Sequence, residues 1–279
     1  MNKVLVTGAN GMLGQDLCPI LQEFGYEVIK TDIDTMDITD LNSVKNKIME
    51  EKPDFIIHCA AYTNVDKAED DLENAILINK IGTENVAKVC EEINATLVYI
   101  STDYVFDGEK TCGYKPDDKT NPLNNYGLTK LQGEQAVQKY CKKYYIVRTS
   151  WLYGIHGKNF VETMILMADN PEIKVVNDQI GCPTWTVDLS NGIVVKLLQE
   201  HVKYGIYHVC GGGSTSWYGF AQKIFELANL KVNLIPCTTE EFSRPAKRPK
   251  CSIMYNNDIC RNWEFALKDY MKLREETIK

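Results

Sequence analysis

The chain lacks the patterns that build metal centres and disulfide scaffolds. It has four histidines, His58, His156, His201 and His208, and no two stand at a metal-ligand spacing. Its ten cysteines run from Cys18 to Cys260 without one Cys-x-x-Cys pair. Neither a bound metal nor a dithiol motif is therefore expected. Scattered thiols in a chain this long fit a reducing cytoplasm better than a cross-linked secreted fold. No apolar run approaches the roughly 18 residues of a membrane span. No internal repeat or low-complexity linker is visible. The first strand begins almost at residue 1, so no targeting segment is expected. Basic residues are outnumbered, 31 against 38, giving a net charge of −7. That removes any global attraction for nucleic acid or an anionic membrane, and a small-molecule substrate is the expected partner. Apolar residues at 44% and charged residues at 25% are ordinary globular values. The 279 residues suit one large domain, or a nucleotide domain with a smaller companion.

The most informative stretch is the first. Lys3-Val-Leu-Val-Thr-Gly8 reads as a buried strand. Gln15 to Phe24 reads as a helix, with Leu17, Ile20, Leu21 and Phe24 at helical spacing. Between them lies Gly8-Ala-Asn10-Gly11-Met12-Leu13-Gly14. Gly8 suits the tight turn, Gly11 a close approach of backbone to a pyrophosphate, and Gly14 a helix lying close on the sheet. The helix start presents free N–H groups to an anion. Tyr26 to Thr31 reads as the second strand, and Asp32 follows it, 18 positions after Gly14. An acid there accepts hydrogen bonds from a ribose and repels a 2′-phosphate, favouring NADH over NADPH, unless it simply caps a turn. Asp37 and Ile38 are candidates for the adenine pocket, and Thr39 opens the next helix.

Asp54 to Cys59 reads as a strand closed by Ala60-Ala61-Tyr62-Thr63, small residues at an edge where a flat ligand can lie. Helices are expected over Val65 to Asn79 and Ile81 to Glu92, then a strand over Thr96 to Ile100 ending in Ser101-Thr102-Asp103. This alternation predicts an α/β, doubly wound parallel sheet. The loop from Tyr104 to Leu123 suits a cleft wall or a solvated excursion. Tyr126-Gly-Leu-Thr-Lys130 lies just inside a helix, so Tyr126 and Lys130 share a face. A lysine charge about 4 Å away would lower the phenol's pKa by about three units, towards working pH. The alternative is a surface aromatic–cation pair. Gly127 and Gly133 weaken that helix, which points to close packing against it.

Beyond the strand Tyr144 to Arg148 comes Trp151, suited to stacking on a sugar or nicotinamide ring, or to core packing. Later elements are a helix over Lys158 to Ala168, a strand over Ile173 to Val176, a helix over Val187 to Leu198 and a strand over Gly205 to Cys210. Gly211-Gly-Gly213 has the look of a second phosphate cradle, but its place late in the chain favours a hinge or helix entry before a helix over Trp217 to Ala228. Arg244, Lys247, Arg248 and Lys250 either neutralise a substrate diphosphate or line a solvated loop.

The glycine turn, followed by Tyr-x-x-x-Lys with an upstream hydroxyl, resembles the extended short-chain dehydrogenase/reductase superfamily. More narrowly, the chain is similar to the dTDP-4-dehydrorhamnose reductase family. Met36 to Asp40, Ala60 to Glu69, Ser101 to Gly108, Asp178 to Thr184 and Ala246 to Pro249 carry the likeness. The resemblance implies a Rossmann-type domain over residues 1–150 and about 184–211. A smaller C-terminal substrate-binding subdomain would take about 151–183 and 212–279. It implies NAD(P)H-dependent reduction of the C4 ketone of dTDP-4-dehydro-L-rhamnose, with NADH as the expected coenzyme and NADPH open. Thr102, Tyr126 and Lys130 match the catalytic residues. Thr102, Asp103, Tyr126 and Trp151 match substrate contacts. Coenzyme contacts fall on Gly8, Asn10, Gly11, Met12, Leu13, Asp32, Asp37, Ile38, Ala60, Ala61, Tyr62, Thr63, Tyr126 and Lys130. Gln15 stands where some members carry a glutamate that binds magnesium at a dimer contact. An amide is a poor partner for a hard cation, so neither that metal nor that dimer is expected, while a homodimer of another kind stays open. A nucleotide-sugar epimerase that retains its NAD, and a non-catalytic nucleotide-binding subunit, are the alternatives.

Overall fold

The structure, a computed structural model, describes residues 2–200 and 202–278; Met1, His201 and Lys279 lie outside the described residues. The first half alternates strictly: β1 (Lys3–Thr7), α1 (Met12–Glu23), β2 (Glu27–Thr31), α2 (Leu41–Glu51), β3 (Phe55–His58), α3 (Lys67–Asp70), α4 (Leu72–Ile76), α5 (Thr83–Glu92), β4 (Thr96–Thr102), α6 (Asn125–Tyr140) and β5 (Tyr144–Thr149). Shorter elements follow: β6 (Leu152–Tyr153), α7 (Phe160–Leu166), β7 (Ile173–Val176), β8 (Ile180–Gly181), β9 (Thr184–Trp185), α8 (Thr186–Gly192), β10 (Gly205–His208), β11 (Thr215–Ser216), α9 (Trp217–Leu227), β12 (Leu234–Cys237) and α10 (Trp263–Ile278).

β1, β3, β4 and β5 are almost continuous runs of Val, Ile, Leu and Tyr, the composition of strands covered on both faces. They join β2 and β10 in a six-stranded sheet of order β2-β1-β3-β4-β5-β10, and every neighbouring pair is parallel. The order reverses at β1, with β2 on one side and β3 on the other, so a crevice opens there at the carboxyl edge. One face packs Val4, Val6, Val98 and Val147 against Leu17 and Leu21 of α1 and Leu189 of α8. The other packs Leu5, Leu97, Tyr99 and Ile146 against Val44, Val86 and Val137 of α2, α5 and α6. A separate core of Tyr153, Phe220, Trp263 and Tyr270 holds the later elements together.

Several expected boundaries move. The first helix begins at Met12, three residues early, because Gly11 is already its extended cap. The second helix is capped by Asp40, whose side chain accepts from the Asn42 N–H at 2.9 Å, and not by Thr39. The helices expected over 65–79 and 81–92 break at Asp71 instead (φ −129°). From Leu72 the chain is helical through to Glu92, crossing a wide π-turn at Leu77–Gly82. A second π segment, Ile193–Gln199, carries on from α8. Gly211–Gly213 leads into a helix entry as expected: the Ser216 hydroxyl accepts the Gly219 N–H at 2.9 Å.

The helix that carries Tyr126 and Lys130 lies unusually close to its neighbours. A side chain at Gly133 would overlap the Tyr99 hydroxyl and stand 2.6 Å from the Asn79 carbonyl oxygen. Gly133→Ala should therefore destabilise the protein by about 1–3 kcal/mol through overpacking, against the small gain that alanine gives an open helix. Urea unfolding measures this, and an unchanged midpoint would contradict the close packing.

Candidate active site

At the crevice, Gly8 adopts φ +63°, and a Cβ there would lie 2.8 Å from both the Cα and the N of Ala60. Gly14 presses α1 onto the turn, with a built Cβ 2.6 Å from Ala9 Cα. Gly11 has no side-chain cap and no acid sits in the first turn, so the positive end of α1 faces the crevice. This is a cradle that side chains would fill, and it fits a dinucleotide. Asn10 donates its backbone N–H to Asp32 at 3.0 Å, and Asp32 also takes the Ile33 N–H at 2.9 Å, so the acid both holds the turn and stands at its rim. Gln15 donates its amide to the Asn10 carbonyl at 2.8 Å.

The other residues expected around the coenzyme divide. Leu13 and Ile38 turn their side chains into the core. A Cβ on Gly82 would sit 2.8 Å from the tip of Ile38. The Asp37 carboxylate is engaged by the Thr39 N–H and hydroxyl at 2.9 and 2.7 Å. Met12 lies against the segment from Gly154 to Asn159. Ala60 to Thr63 follow β3 at this edge; the Tyr62 hydroxyl donates to Asp71 at 3.0 Å, and the Tyr62 backbone is fixed by Asn79 at 2.8 and 3.1 Å. Asn79 also donates to the Thr129 hydroxyl at 3.0 Å, which ties this edge to α6.

The first turn of α6 is built by Asn124, whose side chain accepts from the Gly127 N–H at 2.8 Å. A side chain at Gly127 would overlap the Tyr104 carbonyl, so glycine alone lets the turn reach the end of β4. Tyr126 comes to rest half-buried, its ring edge-on to Tyr104 with centroids 5.9 Å apart. Burial pushes its phenol up to about 12, against the hydrogen bond of the Thr102 hydroxyl and with a further push from Asp103. The expected lowering by Lys130 is not found. The reason is direction: the Lys130 ammonium donates to the Ile100 carbonyl at 2.6 Å and stands 4.1 Å over the Tyr99 ring. Burial draws Lys130 itself down to about 7, with Glu134 and Cys59 opposing. Thr102 donates to Asp103 at 3.0 Å, and burial lifts the Asp103 carboxyl to about 6 against the hydroxyls of Ser252 and Thr102. The site thus brings together a phenol that holds its proton at neutral pH, a hydroxyl beside it and a lysine behind it.

Trp151 is placed by strain. It adopts φ +47°, rare for an aromatic residue and costing about 1–3 kcal/mol. Its ring lies flat on Trp217 at 3.5 Å, and a Cβ on Gly181 would stand 2.6 Å from its indole nitrogen. Sequence reasoning did not identify Trp217, which lies on a helix start far along the chain. Of the four tail cations, Arg248 is committed to Asp66 through both nitrogens, at 2.7 and 2.9 Å. Arg244, Lys247 and Lys250 remain exposed.

A parallel sheet with a glycine cradle at its switch point, and Tyr126, Lys130 and Thr102 converging beside it, defines the extended short-chain dehydrogenase/reductase class. Residues 1–279 match the family described as RmlD substrate binding domain, and the chain belongs to that family. It is 43% identical to the Spore coat polysaccharide biosynthesis protein SpsK of Bacillus subtilis (strain 168), over 98% of each chain. The crystal structure of a dTDP-4-dehydrorhamnose reductase from Clostridium acetobutylicum is 47% identical, with a TM-score of 0.95 over 98% of this chain and 99% of that one. That of dTDP-4-dehydrorhamnose reductase from Bacillus anthracis, in complex with NADP, is 45% identical, with a TM-score of 0.94 over 98% and 100%.

The buried lysine has a stability signature. Its folded pKa, about 7, lies below the 10.5 of an ordinary lysine, so the unfolded chain binds the extra proton between those values. The cost of burying the charge is full below pH 7 and fades as pH rises, by about 1.4 kcal/mol per unit. Lys130→Met should therefore stabilise the protein more at pH 6 than at pH 9, read from thermal unfolding at both. An equal effect at the two values would contradict a buried, weakly held proton.

Proposed function

We propose that the protein reduces the C4 ketone of dTDP-4-dehydro-L-rhamnose to dTDP-L-rhamnose with NAD(P)H. The observation that carries this is the convergence of Tyr126 and Thr102 beside the glycine cradle, in a chain whose solved relatives bear that reductase name. Gly8, Gly11 and the start of α1 hold the pyrophosphate, Asp32 the adenosine ribose, and Ala60 to Thr63 flank the ring system. Reduced nicotinamide supplies the hydride when bound. Tyr126 donates its proton to the carbonyl oxygen as charge develops there, and Thr102 hydrogen-bonds the same oxygen. Lys130 holds the nicotinamide ribose. Trp151, backed by Trp217, offers a flat wall for the sugar, and Asp103 accepts from a sugar hydroxyl. Residues 1–150 with about 184–211 form the coenzyme-binding part, and the remaining segments the substrate-binding part.

NADH is the preferred coenzyme in this reading. Asp32 stands at the cradle's rim, and the run from Asp32 to Val44 adds Asp34, Asp37 and Asp40 with no Lys or Arg. An extra phosphate would meet acid and no cation. NADH should saturate at a lower concentration than NADPH, and Asp32→Ala should narrow the gap; a wild-type enzyme that favours NADPH would contradict the role of Asp32.

Absorbance at the NADH band with a panel of 4-keto sugar nucleotides tests the activity, and stoichiometric coenzyme consumption separates it from an epimerase. Tyr126→Phe should cut kcat by about 10²–10⁴-fold and leave NADH binding intact, the range for a lost general acid. Turnover at the wild-type rate in that variant would refute the proton-donor role.

A further inference from the structure

Tyr99 is fully buried in β4, and it meets Lys130 twice. The Lys130 ammonium stands over its ring, 4.1 Å from the centre. Its hydroxyl donates to the Lys130 backbone carbonyl at 3.3 Å, and Gly133 makes room for that hydroxyl, which a Cβ there would overlap. The ring also stacks on His58, its partner across the β3–β4 register, with centroids 5.7 Å apart and an interplanar angle of 30°. His58 is fixed at both nitrogens: Nδ1 lies 2.7 Å from the Thr7 hydroxyl and Nε2 3.2 Å from the Thr83 hydroxyl. Thr83 donates to the Asn79 carbonyl at 2.7 Å, so it accepts from the Nε2–H. Thr7 accepts the Ala60 N–H at 3.1 Å, which leaves its own proton for Nδ1. The Tyr99 ring thus rests on an imidazole that cannot turn.

An ammonium carries three N–H donors. The Ile100 carbonyl takes one at 2.6 Å, and the electron-rich face of Tyr99 draws another. The third is left for a ligand. A neutral amine has only two N–H groups, and these two partners would use both. The titratable groups around the nitrogen supply little free charge to hold it. Glu134 is shared with Arg148 at 2.9 and 2.7 Å. Burial first, and Lys130 second, draw His58 down to about 3, so the imidazole is neutral. Burial pushes the Cys59 thiol far up, and Tyr126 keeps its proton at neutral pH. The carbonyl and the ring are the seat of the ammonium.

We propose that Tyr99 is a positioning residue for Lys130, its ring seating the ammonium so that one donor stays free for the nicotinamide ribose; this rests on the reductase reading above. The ring acts through its quadrupole and not through its bulk alone, because the cation stands over its face. It favours the charged lysine where burial disfavours it. Weakening the face should therefore lower the pH at which Lys130 loses its proton, and with it the share of enzyme that can donate to the ribose at neutral pH.

The test uses the full chain with Tyr99→Phe as the reference, and the same phenylalanine carrying three or five ring fluorines, which strip electron density from the face while nearly keeping its shape. The titration of Lys130 is followed in the free protein by the carbon-13 resonance of its Cε, assigned by its loss in Lys130→Met. The wild-type midpoint should lie at about 7. Relative to Tyr99→Phe, the five-fluorine ring should lower the midpoint by about one pH unit, and the three-fluorine ring by less. A merely structural role would not make the midpoint follow the fluorine count. At pH 7 the NADH dissociation constant of the five-fluorine protein should rise about fivefold over the Tyr99→Phe value, the loss of charged lysine that such a change implies. A midpoint that stays put through the series would overturn the proposal. Should the five-fluorine protein fail to fold, an unmoved midpoint in the three-fluorine protein would overturn it equally. Wild-type protein that does not oxidise NADH with dTDP-4-dehydro-L-rhamnose would sink the reductase reading, whatever the titration shows. Normal wild-type turnover with an unmoved midpoint would sink the role of Tyr99 alone.

Discussion

The site depends on how closely one helix approaches one strand. α6 carries Gly127 and Gly133 where any side chain would overlap Tyr104 or Tyr99, so the helix packs backbone-close to β4 and the edge beside it. Each glycine costs an exposed helix about 1 kcal/mol, and here the approach they allow brings Tyr126 edge-on to Tyr104 and Lys130 to the Ile100 carbonyl. A helix held further out would leave the phenol in solvent and the lysine short of the sheet.

Buried charge fixes the same face of the helix one turn further along. Glu134, one turn beyond Lys130, takes Arg148 of β5 through both oxygens at 2.9 and 2.7 Å and the Ser101 hydroxyl at 2.5 Å. Arg148 and Glu134 are 3% and 2% exposed, and removing one partner would strand the other in the core. With these two neutralising each other, Lys130 is left as the loosely charged group of the pocket, and this is why burial dominates its pKa. The phenol and the lysine are therefore both tuned by loss of water first and by neighbours second.

Much of this was legible from local pattern. The apolar runs gave β1, β3, β4 and β5 nearly to the residue, because strands buried on both faces leave a plain signal. The glycine turn and the Tyr126/Lys130 spacing could be read because their geometry is set within a few residues. Other features depend on partners far along the chain. Trp151 needs Trp217 and Gly181 to make sense of its backbone. Arg248 looked like a free cation until Asp66 was beside it. The direction of the Lys130 ammonium hung on one backbone carbonyl, which no spacing rule supplies. The π-turns likewise carry no composition signal, so the break was expected near Lys80 and fell at Asp71.

The central claim is that hydride and proton reach one carbonyl from opposite partners within a single crevice. Its most direct test is the fate of a label. With NADH deuterated at the transferred position of its nicotinamide C4 and dTDP-4-dehydro-L-rhamnose as substrate, proton NMR of the product should show deuterium at the sugar C4, one per coenzyme oxidised. Product formed without deuterium at that carbon, or without net oxidation of the coenzyme, would contradict the account.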